Sequence, residues 1–168
     1  MKDDEGDGST GSATIERSMA PPSMETLQAT CAALPGTKRL GDRECEVIYA
    51  QGWQLFQRGL FAQAAEVFAV LALYRPLSPR YLNAHAMCRK LMHQYDMAVL
   101  LFVAVLTVDE DDPVPAMHLA QCLFAIGQDA VGFDALRLVI VRAGNAVEHA
   151  ELAGLARQWL AGQGESNA

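Results

Sequence analysis

Four cysteines and four histidines are the residues of this chain best suited to carry a reaction or hold a metal. Cys31, Cys45, Cys88 and Cys122 stand 14, 43 and 34 residues apart. No Cys-x-x-Cys pair exists to build a zinc ribbon or a thioredoxin-type couple. His85, His93, His118 and His149 make no His-x-x-x-His, no His-Glu-x-x-His and no cluster with the cysteines. The nucleophile elbow Gly-x-Ser-x-Gly and the phosphate loop Gly-x4-Gly-Lys-Ser/Thr are missing as well. These types at these spacings support neither an enzyme nor a metal or cofactor site. Reduced, buried packing residues are the expectation for the cysteines of an intracellular chain.

The elements that would position these residues are bounded by composition. The chain has 168 residues, is 51% hydrophobic but only 7% aromatic, and carries 13 basic against 20 acidic side chains, a net charge of -7. With a pI near 5.0 it offers no obvious phosphate-neutralising surface, so nucleic acid is not an expected partner. Its longest apolar run, Met97 to Leu106 and on to Val108 past Thr107, is too short for the roughly 18 to 20 residues of a membrane span. Met1 to Thr10 is acidic and Gly-rich, unlike a secretory leader, so a cytoplasmic location is expected.

Residues 1–22 hold Asp3, Asp4, Glu5, Asp7 and Glu16 and end in Pro21-Pro22, the composition of a disordered acidic arm. Residues 23–44 are read as a short amphipathic helix, with Met24, Leu27 and Cys31 at helical spacing and a stop at Leu34-Pro35-Gly36, followed by a linker. Beyond this point the reading is all-α, with breaks at Gly59, Arg75 to Ser78, Asp109 to Pro113, Gly127 and Gly144-Asn145. Ser78-Pro79 and Asp112-Pro113 each set a capping side chain before a proline at the first helical position.

A shift of 34 residues aligns Gly52 with Ala86 and Ala120, then Phe61 with Tyr95 and Asp129, Ala64 with Ala98 and Gly132, and Phe68 with Phe102 and Leu136. This period, with small residues set between bulky ones, is that of the tetratricopeptide helix-turn-helix repeat. Three repeats follow, 45–78, 79–112 and 113–146, with a capping helix over 147–162 opened by Asn145-x-x-Glu148 and a flexible tail over 163–168. The strand-like stretch Val99 to Val108 becomes the second helix of the middle repeat, apolar all round because neighbours are expected to enclose it.

In such a solenoid the first helices of successive repeats line the concave side. Tyr49, Trp53 and Phe56, spaced i, i+4 and i+7, form a second face on the first of them, and the equivalent positions are Asn83, Met87 and Lys90, then Met117, Gln121 and Phe124. A strip of aromatics and methionines can take the apolar side chains of a peptide. Packing of Tyr49, Trp53 and Phe56 under the helix near Met24 is the alternative. A carboxylate clamp would have only Arg80, Asn83 and Lys90 to draw on.

Taken together, the chain resembles the tetratricopeptide-repeat (class II) chaperones of type III secretion translocator proteins. The likeness covers roughly residues 23–160 and is carried by Ile48-Tyr49 through Gln57-x-Gly59-x-Phe61, by Ala86-Met87-Cys88-Arg89 and Gln94-Tyr95-Asp96-x-Ala98, and by Asp112-Pro113 leading to His118-x-Ala120-x-Cys122-Leu123. The resemblance implies a non-enzymatic bacterial cytoplasmic chaperone that binds the N-terminal region of a hydrophobic translocator as an extended segment. It implies groove positions at Tyr49, Trp53, Phe56, Phe61, Val70, Tyr74 and Phe102, and homodimerisation near Met24, Leu27 and Cys31. Some chaperones of this kind also resemble regulators acting with a transcription activator. The alternative is a tetratricopeptide scaffold subunit of a secretion or other assembly apparatus.

Overall fold

The computed structural model describes residues 40–166. The acidic arm and the amphipathic segment with Met24, Leu27 and Cys31 lie outside the described residues. Seven α-helices follow in order: α1 (Asp42–Gln57), α2 (Phe61–Tyr74), α3 (Pro79–Leu91), α4 (Tyr95–Val108), α5 (Val114–Ala125), α6 (Asp129–Ala143) and α7 (Ala150–Ser166), the last preceded by a 3-10 turn at Val147–His149. Each helix packs chiefly on the next, and α7 closes over α6 and touches α5. That is the one-dimensional stacking of a repeat array.

The second helices of the pairs start at Phe61, Tyr95 and Asp129, each 34 residues after the last. Their buried stripes recur in the same register: Ala64, Phe68 and Leu71 on α2, Ala98, Phe102 and Val105 on α4, and Gly132, Leu136 and Val139 on α6. A spacing of i, i+4 and i+7 keeps each triplet on one helix face. Facing them from the first helices are Gly52, Ala86 and Ala120, all buried. The approach at Gly52 is tight, since a β-carbon there would stand 2.8 Å from the Phe68 ring.

The turns between paired helices also repeat. Leu60 donates its amide to the Leu55 carbonyl, Gln94 to that of Arg89 and Gln128 to that of Leu123, at 2.9 to 3.0 Å. Each bond spans a residue at positive φ: Gly59 at 75°, His93 at 58° and Gly127 at 74°. This is the Schellman stop, which satisfies end carbonyls at the cost of one left-handed residue. His93 is the one non-glycine residue at positive φ among the described residues, and its ring is held by the Tyr95 hydroxyl at 2.7 Å.

Several sequence expectations need adjusting. α1 begins at Asp42, ahead of the expected repeat start at 45, with the Glu44 carboxylate accepting the Gly41 amide at 2.8 Å. Ser78 does precede Pro79 at the start of α3, but its side chain makes no cap bond. Asp112 does cap, its Oδ1 accepting the Val114 amide at 2.8 Å, and α5 starts at Val114 with Pro113 as the flanking residue. Asn145-x-x-Glu148 opens no α-helix: a 3-10 turn with no side-chain cap stands there, and α7 starts at Ala150 and runs on to Ser166.

The expectation that neighbours enclose α4 is wrong on one side. Phe102 and Val105 are buried, but Met97, Leu100 and Val103 stand 46 to 65% exposed. A second helix has packing partners on its inner face only, so the all-round apolar character of α4 leaves an apolar outer stripe.

Candidate peptide-binding groove

The first helices carry one position set in common register: Glu46, Tyr49, Trp53 and Phe56 on α1, Arg80, Asn83, Met87 and Lys90 on α3, and Val114, Met117, Gln121 and Phe124 on α5. Side chains join the three helices directly. Arg80 on α3 reaches back to Glu46 on α1 at 2.6 Å and lies over the Tyr49 ring at 3.8 Å. Lys90 on α3 reaches forward to α5, donating to His118 Nδ1 at 3.0 Å and to the side-chain oxygen of Gln121. The stripes therefore form one continuous surface.

One end of that surface is an aromatic ladder. Tyr49 and Trp53 stack with centroids 6.4 Å apart and planes 9° from parallel, Trp53 and Phe56 stack at 5.1 Å and 11°, and Phe61 meets Phe56 edge-on at 5.4 Å. Tyr49 also leans on Phe68 and Tyr81, which ties the ladder to the core below it. Tyr49 and Phe56 are half-buried and Trp53 remains 41% exposed. Offset and edge-on ring contacts add to burial and hold the rings in place.

The other end is a second aromatic group. Phe124 packs edge-on against Phe133 of α6 at 5.0 Å and meets Trp159 of α7 at a tilt, with centroids 5.8 Å apart. Between the two ends lies a polar centre of Asn83, Lys90, His118 and Gln121. Burial pushes the Lys90 ammonium below its ordinary pKa. Burial and then the neighbouring Lys90 charge push His118 down. Both shifts follow first from taking a charge out of water, and at His118 the Gln121 hydrogen bond and the Asp112 carboxylate oppose the shift without cancelling it. The side-chain oxygen of Asn83 is buried and has no hydrogen-bond partner.

Tyr49, Trp53, Phe56, Phe61, Asn83, Met87, Lys90, Gln121 and Phe124 thus share this surface or its edge. Met117 holds the right register but is 5% exposed and belongs to the core with Ala120 and Leu123. Phe102 is fully buried, with its ring 5.6 Å from that of His118, so it is a support beneath the surface and not a lining residue. Val70 and Tyr74 are exposed on α2 and join none of the ring contacts among the described residues. Of the three residues a carboxylate clamp could draw on, Arg80 is paired with Glu46.

His118, Phe133 and Trp159 are additions that the sequence reading lacked. Trp159 could have been weighed as one of only two tryptophans, but the Lys90 to His118 contact spans 28 residues and has no local signal. The acidic segment also spells Gly6-x-Gly8-x-x-Gly11, a spacing met in dinucleotide loops. Acidic and hydroxyl residues surround it, and it lies outside the described residues. The three cysteines among the described residues are packing residues in this fold: Cys45, Cys88 and Cys122 are buried free thiols, and burial pushes Cys88 up to about 11. No group of three or more histidine, cysteine or acidic side chains among the described residues could hold a metal.

No family model matches the chain. It is 28% identical over 83 residues to the low calcium response locus protein H of Yersinia pestis, an alignment covering 49% of each protein. The chain thus spans about half the length of the curated relatives it matches. Against solved structures the likeness is broader. The type III secretion translocator chaperone SycD of Yersinia enterocolitica superposes with a TM-score of 0.67 at 25% identity, over 73% of this chain and 91% of that one. The fold is that of the type III secretion translocator chaperones. SycD in complex with a peptide of the translocator YopD matches with a TM-score of 0.73 at 24% identity, over 76% of this chain and 98% of that one. The translocator-chaperone fold accounts for the three helix pairs and the closing helix, and no described helix is long and apolar enough to cross a membrane.

Proposed function

We propose that this chain is a non-enzymatic chaperone of type III secretion translocators. It holds an extended apolar segment from the N-terminal region of its client against the first-helix groove, in the bacterial cytoplasm before export. The observation that carries the reading is the half-exposed ladder of Tyr49, Trp53 and Phe56, present on a fold that in SycD is solved with a translocator peptide. Phe61 extends the ladder, and Met87, Gln121 and Phe124 continue the surface toward Trp159. Alternate side chains of an extended segment point to one face, so a strip of ring edges and methionines can take every second residue.

A chaperone of this kind needs no cofactor. Its work is to cover client apolar surface that would otherwise aggregate. Homodimerisation belongs to the same reading and is supported by a dimer of SycD; we assign it to Met24, Leu27 and Cys31 on their helical spacing.

Co-expression with the translocators of the same genome is the test. A soluble complex is expected with the intact chain, and Tyr49→Ala with Trp53→Ala should release the client while leaving the helical signal of the chaperone unchanged. A complex indifferent to the double substitution would overturn the groove assignment. Recovery only with structural components of a secretion apparatus, and no translocator, would favour a scaffold subunit instead.

A further inference from the structure

The polar centre of the groove holds an unbalanced charge. Lys90 occupies the same repeat position as Phe56 before it and Phe124 after it, so one ammonium stands in a row between two aromatic side chains. Its polar partners are His118 Nδ1 and the Gln121 oxygen, both neutral acceptors. No carboxylate lies within ion-pair distance of it among the described residues, whereas Arg80 in the same stripe is already paired with Glu46. An ammonium carries three donors, and these contacts use two. A partly buried cation without an anion is costly. The location of Lys90 in the last turn of α3 offsets only part of that cost, through the negative end of the helix dipole. On a chain of net charge -7, this is a local positive spot at the middle of the candidate binding surface.

We infer that the segment bound in the groove carries an aspartate or glutamate side chain between its apolar anchors, seated on Lys90. The ladder on α1 and the Phe124–Trp159 group would take the anchors, and the acid would set the register in which they dock. The inference rests on the groove reading above and adds to it a chemical rule for the client: apolar, acidic, apolar.

Short random peptides, displayed through their C-termini so that no free terminal carboxylate is offered, would be selected on the full chain and on Lys90→Met and Lys90→Glu. On the unaltered chain, selected peptides should combine alternating apolar residues with Asp or Glu enriched at one internal position. Lys90→Met should lose that enrichment, and Lys90→Glu should replace it with Lys or Arg. A selected peptide, synthesised with both ends blocked, should bind the intact chain at least about tenfold more weakly after Glu→Gln, and Lys90→Met equally in both forms. Apolar peptides without an acidic preference, or a preference that survives Lys90→Met, would overturn the inference and leave the groove reading standing. So would a neutral peptide that needs Lys90 only when its C-terminus is free. Absence of apolar peptides altogether, or binding indifferent to Tyr49→Ala with Trp53→Ala, would instead overturn the groove reading. Thermal melts of the two variants establish folding, and the Glu→Gln comparison with Lys90→Met decides the matter if Lys90→Glu does not fold.

Discussion

At the scale of single residues, what matters is how closely the paired helices approach. Gly52 lies so near Phe68 that a β-carbon would meet the ring at 2.8 Å and the Val67 side chain at 3.0 Å. Gly52→Ala should therefore destabilise the chain by about 1–3 kcal/mol, as overpacking does, measured by urea unfolding. Gly154 in the middle of α7 is the contrasting case, with open space where its β-carbon would stand. Gly154→Ala should stabilise by about 0.5–1 kcal/mol through helix propensity alone. The small-residue requirement at Gly52, Ala86 and Ala120 is legible in the sequence because it recurs at a fixed period. The burial of Phe102 beneath the groove was not legible, since an aromatic aligned with Phe68 can belong to core or surface until its neighbours are placed. Nor was the charge balance at Lys90, which depends on side chains of another helix.

Between elements, the most specific contact is that of Arg142. Its guanidinium, on α6, donates to the carbonyls of Leu106 at 2.9 Å, Asp109 at 2.9 Å and Asp112 at 3.3 Å. It thereby caps the C-terminal end of α4 and holds the turn that leads into α5. Last-turn carbonyls have no partner inside their own helix, and a cation there also meets the negative end of the dipole. Arg142→Ala should cost about 2–3 kcal/mol by thermal or urea unfolding, and Arg142→Lys, which lacks the fork that reaches several carbonyls at once, should recover only part of it. Helix order and turn positions were readable from the 34-residue shift, because Gly59 and Gly127 mark the turn of the first and third units and Pro79 and Pro113 the start of the second and third. Two features resisted that reading for physical reasons. A helix apolar on every face, such as α4, does not disclose which face is outside. The start of α7 is displaced from Val147 to Ala150 by a 3-10 turn of three residues, a difference too small for a pattern of apolar spacings to register.

For the molecule as a whole, stacking of each helix mainly on the next makes stability a local quantity. The middle helices have neighbours on both sides, whereas α7 closes the array on one side only. Native-state hydrogen exchange should be slowest in α3 to α5 and fastest in α7, and a bound peptide should slow the first helices more than the second ones. Equal protection along the array would contradict this picture. The placement of the two tryptophans has an optical consequence. Trp53 sits in the ladder at one end of the groove and Trp159 against Phe124 at the other, each a little over 40% exposed. With Trp53→Phe or Trp159→Phe, the emission of the remaining indole would watch one end alone. The pair of single-tryptophan chains would reveal, without any label, which end of the groove an arriving peptide dries first.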